Sequence, residues 1–344
     1  MARIVFLFAF LILLVAGSCS HSRLPGRIPA GTSGRYEGDF TGMAAQPVDR
    51  VVPAVKKVYC VATYSTWQFR RDDRVTAYHL QKGFYRKMAW GVITTSETIS
   101  GTGTVLQQNR DRIAVLTCAH VVTSPDTLIS YYEPEGDDPI RYIQRFSLRE
   151  KQEIWVADLT GCGPFAAVAS DPALDIALLG AHCVSAAVTV SPFPCAAGRA
   201  AALEWGTRLF ILGYPMGHLV LTRGLASPSG RKGGAFFVDA LLNKGYSGGI
   251  LLATRSDGKG LELVGMVTSV NSTREEYLRP QPDHPSTPDW MAYKGELFIG
   301  QSERIQYGLN TVIPVESIFN FMLDHRQDFL NEGFLPDQFF HQDP

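Results

Sequence analysis

Past residue 50 the chain is a succession of short β-forming runs cut by glycine, proline and asparagine, and few folds accommodate that pattern. Residues 51–64 open it, with Pro53 near the start. Residues 101–106, 112–117, 127–132, 153–159 and 176–179 follow. After Pro192 and Pro194 a second series begins: 208–212, 219–225, 235–238, 250–253, 261–270 and 309–313. Many short strands separated by turn formers argue for an all-β sandwich or a pair of barrels. One helix is expected near the end. Pro314 suits a first helical turn, and Val315, Ile318, Phe319 and Met322 recur at spacings of three and four. With 45% hydrophobic and 19% charged residues the chain can bury a substantial core, and its net charge of -1 gives no sign of a nucleic-acid partner.

The first fifty residues read differently. Arg3 precedes an almost wholly apolar run over residues 4–15, shorter than the roughly 20 residues a spanning helix needs. Ala16-Gly17-Ser18 then offers a cleavage site, so residues 1–18 are expected to be an export signal. Small residues before Cys19 resemble a bacterial lipobox, in which the cysteine is lipidated and becomes the mature N-terminus. Ala16 and Ser18 depart from its usual residues. The expectation is a lipid-anchored protein of the cell envelope, with plain cleavage into the periplasm or medium, or an uncleaved anchor, as the alternatives. Residues 19–50, rich in Gly, Pro, Ser and Arg, read as a flexible linker.

Of the other cysteines, Cys60 and Cys118 read as buried apolar residues, and Cys183 with Cys195 is the favoured bridge on sequence proximity. No spacing suggests a metal site, and no cofactor is expected. Residues 67–98, with the charge run Arg70-Arg71-Asp72-Asp73-Arg74, read as a solvated hairpin or loop. Residues 272–306, with four prolines, read as an insertion whose aromatics pack somewhere.

Chemistry enters at Gly245-Tyr246-Ser247-Gly248-Gly249, which follows one apolar run and precedes another. Glycines permit a sharp turn with amides pointing outward, and outward amides can bind the oxyanion formed when a serine attacks a carbonyl. A serine hydroxyl needs a base to do so. His120 ends the run Leu116-Thr117-Cys118-Ala119-His120, and Asp175 precedes the apolar run Ile176-Ala177-Leu178-Leu179. Each is weak alone; the order His, Asp, Ser in such local settings is not.

These three blocks resemble the trypsin-like serine peptidases. Leu-Thr-Cys-Ala-His is similar to the family's Leu-Thr-Ala-Ala-His, Asp-Ile-Ala-Leu-Leu to its acid block, and Gly-Tyr-Ser-Gly-Gly to its Gly-Asp/Asn-Ser-Gly-Gly. Asp171-Pro-Ala-Leu-Asp175, Leu212-Gly213-Tyr214-Pro215-Met216-Gly217, Val264-Gly265-Met266-Val267 and residues 307–314 resemble the bacterial high-temperature-requirement (HtrA/Deg-type) branch, with the expectation that its peptide-binding PDZ domain is lacking. The resemblance implies two six-stranded antiparallel β-barrels and a C-terminal helix. The peptidase domain would span 51–330, with an N-barrel at about 51–190, a C-barrel at about 200–313 and a helix at about 314–326. Residues 331–344 would form a tail.

It also implies catalysis by Ser247, His120 and Asp175, with the amides of Gly245 and Ser247 as oxyanion hole, no metal, and a protein or peptide substrate. Leu241, six residues before the serine, would floor the specificity pocket. Thr268, Ser269 and Val270 would line the substrate. Tyr246 and Ile250 depart from the family pattern without being proton carriers. They leave open a second class of function: a catalytically silent or zymogen-like binding protein on the same fold.

Overall fold

The computed structural model describes residues 47–340 apart from 110, 134–139, 160, 185–189, 229–234, 256–259 and 281–296. All of these lie in the unit Gly42–Pro344. The expected export signal, Cys19 and most of the expected linker therefore lie outside the described residues.

After a short helix α1 (Pro47–Val51), strands β1 (Val55–Gln68), β2 (Gly91–Asn109), β3 (Arg112–Thr117), β4 (Thr127–Tyr131), β5 (Ile143–Val156), β6 (Ala166–Asp171) and β7 (Ile176–His182) form one antiparallel sheet. Its order is β4-β5-β1-β2-β3-β7-β6. β1 shows the cause of its own placement. Val58, Cys60, Ala62, Tyr64 and Thr66 alternate along it and all are buried, because successive strand side chains face opposite ways and only one face meets the core. A bridge between Ile154 and Phe165 brings β5 to the approach of β6, so the sheet curls nearly into a barrel. The second half is a closed barrel of six strands: β8 (Arg208–Gly213), β9 (Val220–Ser227), β10 (Phe236–Asp239), β11 (Ile250–Thr254), β12 (Leu261–Pro280) and β13 (Leu297–Pro314), ordered β10-β13-β12-β11-β8-β9. The expected pair of six-stranded barrels is thus one closed barrel and one curled seven-stranded sheet. The seventh strand is β4, which among the described residues pairs only with β5.

Several features differ from expectation. Residues 69–90 are not a plain solvated loop. They hold helices α2 (Ala77–Gln81) and α3 (Tyr85–Met88), whose Tyr85 joins Phe69, Val75, Ile143 and Phe146 in a satellite core covered by Trp67, Leu80 and Met88. Tyr85 meets Trp67 and Phe146 edge-on at centroid distances of 5.0 and 4.8 Å, contacts worth about 0.5–1.5 kcal/mol each beyond area burial. The 272–306 insertion is in part a continuation of the barrel, since β12 and β13 stay paired from Ser272↔Ile305 out to Pro280↔Leu297. The disulfide joins Cys183 to Cys162, not to Cys195.

Helix α4 (Val315–Asp324) forms where the three-four spacing places it, burying Val315, Ile318, Phe321 and Met322. Beyond it, α5 (Arg326–Asn331) and the residues that follow are packed rather than a loose tail. Phe329, Phe334, Phe339 and Phe340 are buried. The Leu335 amide donates to Gln107 Oε1 at 2.9 Å, and Gln107 Nε2 donates to Gln338 Oε1 at 3.2 Å. The segment is thereby clipped onto the first sheet.

Candidate active site

β3 delivers the chain into a single helical turn, Ala119–Val121, which turns His120 outward while Ala119 and Val121 stay buried. Asp175 ends the turn before β7 in a left-handed conformation, φ 58°. Its two carboxylate oxygens lie 2.8 and 3.0 Å from His120 Nδ1, and one of them also accepts the His120 backbone N–H at 3.0 Å. The histidine ring is therefore gripped at one edge, with Nε2 left on the other. Thr268 Oγ1, on β12, donates to the remaining lone pairs of Asp175 Oδ2. Burial pushes the Asp175 carboxyl up, but the hydrogen bonds from His120 and Thr268 outweigh it and hold the group below the usual carboxylate range.

Ser247 sits in a loop between β10 and β11 whose shape is fixed by close approach. Gly248 has φ +84°, and a Cβ there would collide with the Thr102 carbonyl oxygen. Gly245 has φ +106°, and a Cβ there would strike the Tyr214 carbonyl oxygen. Only glycine fits either position. The loop is pinned to the first sheet by Thr102 of β2. The Thr102 amide donates to Ser247 O at 2.7 Å, its hydroxyl donates to Gly245 O at 2.7 Å, and the same hydroxyl accepts the Tyr214 amide at 2.8 Å. Gly101 is the wedge that brings the histidine turn beside the serine loop, since a Cβ on it would stand 2.6 Å from Val121 Cγ2 and 2.8 Å from Ser247 O.

Two carbonyls of this loop are turned away from Ser247. Gly245 O goes to Thr102, and Lys244 O accepts the Met216 amide at 3.0 Å. In a planar trans peptide the N–H points opposite to its C=O, so the Gly245 amide is directed away from Met216. Among the described residues neither the Gly245 nor the Ser247 amide donates to anything, and Ser247 Oγ makes no hydrogen bond.

The departures from the family pattern are absorbed by the core. Tyr246 is buried against Gly213, and burial pushes its hydroxyl up to about 12. It stays neutral at any ordinary pH. Ile250 is buried in β11. Cys118 is buried beneath the pair and donates its thiol to Val267 O at 3.2 Å. Cys118, His120 and Asp175 each place a ligand-type atom within 4.8 Å of the others. Burial and the neighbouring Asp175 charge push the Cys118 thiol well above its usual value, however, and metal ligation needs a thiolate. The set suits hydrogen bonding better than it suits a metal.

The structure brings together His120, Asp175, Thr268, Gly245 and Ser247. Thr268, expected to line substrate, has its hydroxyl committed to Asp175. Leu241, expected to floor a specificity pocket, is 72% exposed. In this segment it is the neighbouring Leu242 that is buried. The side chains of Ser269 and Val270 lie outside those described. Sequence reasoning missed Thr102 and Gly101. The signal was present as Gly101-Thr102-Gly103-Thr104, but it reads as an ordinary strand start until its partners, far away in the chain, are known.

A search of curated proteins returns no match. Among solved structures, an HtrA-type protease (AlgW S227A with a tripeptide) aligns at 17% identity and TM-score 0.41, covering 84% of this chain and 64% of that one. The chain thus spans less than two thirds of that structure's length. Deg5 aligns at 18% identity and TM-score 0.38 over 80% and 93% of the two chains. A thermostable serine protease, AL20, from an extremophilic microorganism aligns at 13% identity and TM-score 0.33 over 65% and 88%. The family model described as a trypsin-like peptidase domain matches residues 101–266, a segment that contains His120, Asp175, Ser247 and the close-packed glycines Gly101, Gly245 and Gly248. Residues 101–266 are a trypsin-like peptidase domain.

Proposed function

We propose that this chain is a serine endopeptidase. The observation that carries the reading is the His120–Asp175 pair, buttressed by Thr268, on a turn held against a serine loop whose two amides are unpaired. Ser247 Oγ attacks a peptide carbonyl while His120 Nε2 takes its proton. Asp175 fixes the tautomer with Nδ1 protonated and stabilises the imidazolium. The amides of Gly245 and Ser247 receive the oxyanion, and His120 returns the proton to the leaving amine. Removing one such oxyanion donor costs about 3 kcal/mol of barrier, so the Thr102 and Met216 hydrogen bonds that orient this loop matter to rate as well as to fold. Water then repeats the sequence on the acyl-enzyme.

Export through residues 1–18, lipidation at Cys19 and residence at the cell envelope belong to the same proposal. The Cys162–Cys183 disulfide supports passage to an oxidising compartment.

The test is labelling by a fluorophosphonate probe. Wild type is expected to label and Ser247→Ala not to. Replacing the nucleophile is expected to lower kcat on the order of 10⁶-fold. Absence of Ser247-dependent labelling overturns the reading. One observation favours a second version: the serine hydroxyl is not hydrogen-bonded to His120 in this structure. In that zymogen-like version labelling accelerates when an unfolded polypeptide is added, whereas a standing triad labels at one rate.

A further inference from the structure

We propose that the outer edge of β2 over residues 91–101 is a docking strand for an extended segment of the polypeptide substrate. This rests on the peptidase reading and adds to it a place that holds the substrate away from the reacting bond.

β2 is paired on one side by β1 along its whole first part, from Gln68↔Gly91 to Val55↔Thr104, without a register shift. On its other side β3 begins only at Thr104. Between Gly91 and Gly101 the second edge has no partner among the described residues. Which groups point there follows from parity. The Thr102 amide faces away from β1, because it bonds Ser247 O. Backbone N–H and C=O groups alternate sides along a strand, and no bulge interrupts the ladder, so those of Val92, Thr94, Ser96, Thr98 and Ser100 face the open edge. This is a row of donors and acceptors about 30 Å long.

Exposed edges are normally guarded by lysine, proline, bulges or shortness. This one has none of these. Val92-Ile93-Thr94-Thr95-Ser96-Glu97-Thr98-Ile99-Ser100 carries a single charge, and Val92 and Ile93 are 56% and 43% exposed. Trp90 stands exposed at its far end.

The occupant is chosen by continuity with the site. The edge runs without a break into Gly101 and Thr102, and Thr102 holds the Ser247 carbonyl. A strand added along it arrives at the nucleophile. Backbone pairing carries affinity with little demand on side chains, so the chemistry that fits is an unfolded or extended polypeptide of varied sequence. A folded partner would have to offer a free edge of its own.

The experiment uses the full chain with Ser247→Ala, which binds without cleaving, and fluorescein-labelled casein as probe. Thr94→Pro with Thr98→Pro removes two outward N–H groups and leaves every bond to β1 in place. It is expected to weaken casein binding at least tenfold, while Thr94→Ala with Thr98→Ala stays within twofold. Equal binding by the proline pair overturns the proposal. Because prolines could unfold the sheet, amide hydrogen exchange is measured in parallel on the Ser247→Ala protein without them. Casein is expected to slow exchange at Thr94, Ser96, Thr98 and Ser100, and no slowing overturns the proposal. Protection already present without casein, together with a dimer in sedimentation, also overturns it, because the edge then belongs to a second copy. Probe labelling of the wild type reports the peptidase reading separately: edge protection without Ser247 labelling sinks that reading and leaves the docking strand standing.

Discussion

Thr102 uses one hydroxyl for two tasks, accepting from the Tyr214 amide and donating to the Gly245 carbonyl. Both partners belong to loops around Ser247. Thr102→Val keeps the shape and deletes the hydroxyl, which leaves the buried Gly245 C=O without a partner, at about 1–3 kcal/mol, and the part-buried Tyr214 N–H without one at a smaller cost. The expected outcome is a lower midpoint in urea and slower fluorophosphonate labelling of Ser247, with Thr102→Ser restoring much of both. Unchanged labelling would show that the loop keeps its shape without this tether. At this scale the sequence was partly legible. His120, Asp175 and Ser247 announce themselves because each sits in a local block whose chemistry is recognisable. Thr102 does not, because nothing near it in the chain hints at a partner 143 residues on. Leu241 misled for a related reason: counting back from the serine gives a position, not the direction in which a side chain points.

Strands were legible as elements because alternation and turn residues are local properties, but their partners were not. Cys183 lies nearer in sequence to Cys195, yet β6 and β7 fold as an antiparallel hairpin that places Cys162 directly opposite Cys183. Pro192 and Pro194 end the local run and start a new course. The bridge closes a loop of 21 residues, and restraining an unfolded loop of that size contributes about 3 kcal/mol. Cys162→Ser with Cys183→Ser is therefore expected to lose about that much by equilibrium denaturation. A loss under roughly 1 kcal/mol would mean that the hairpin is already held by its strand pairing. The satellite core over residues 69–90 was illegible for a different cause. Its apolar residues, Phe69, Val75 and Tyr85, follow neither a period of two nor one of 3.6, since each comes from a separate short turn laid over the ends of β1 and β5.

On the scale of the whole molecule, the site is the seam between the two halves. Asp175 meets Thr268, Thr102 meets Gly245 and Cys118 meets Val267, each pair crossing from sheet to barrel. The polar contact at Asp175 makes this seam sensitive to acid. Its carboxyl is held below the ordinary range in the folded state, so its stabilisation is fully present above the unfolded value of about 4 and is lost as pH falls through the lower folded value. Asp175→Asn should therefore be less stable than wild type near neutrality, with the gap closing below about pH 4. Urea denaturation at a series of pH values checks this, and a gap independent of pH would assign the loss to packing instead.

The phenylalanine-rich segment after α4 carries a consequence for biosynthesis. Phe334 lies against Gly180 of β7, and Leu335 and Gln338 hold Gln107 of β2. These residues leave the ribosome after everything they cover. Until then the flank of the first sheet stays bare, although all seven of its strands have been made. A chain broken off short of Phe329 would leave that flank open to chaperones and degradative enzymes, so the segment around Phe334 and Gln338 acts as a late-made cover for a sheet made long before it.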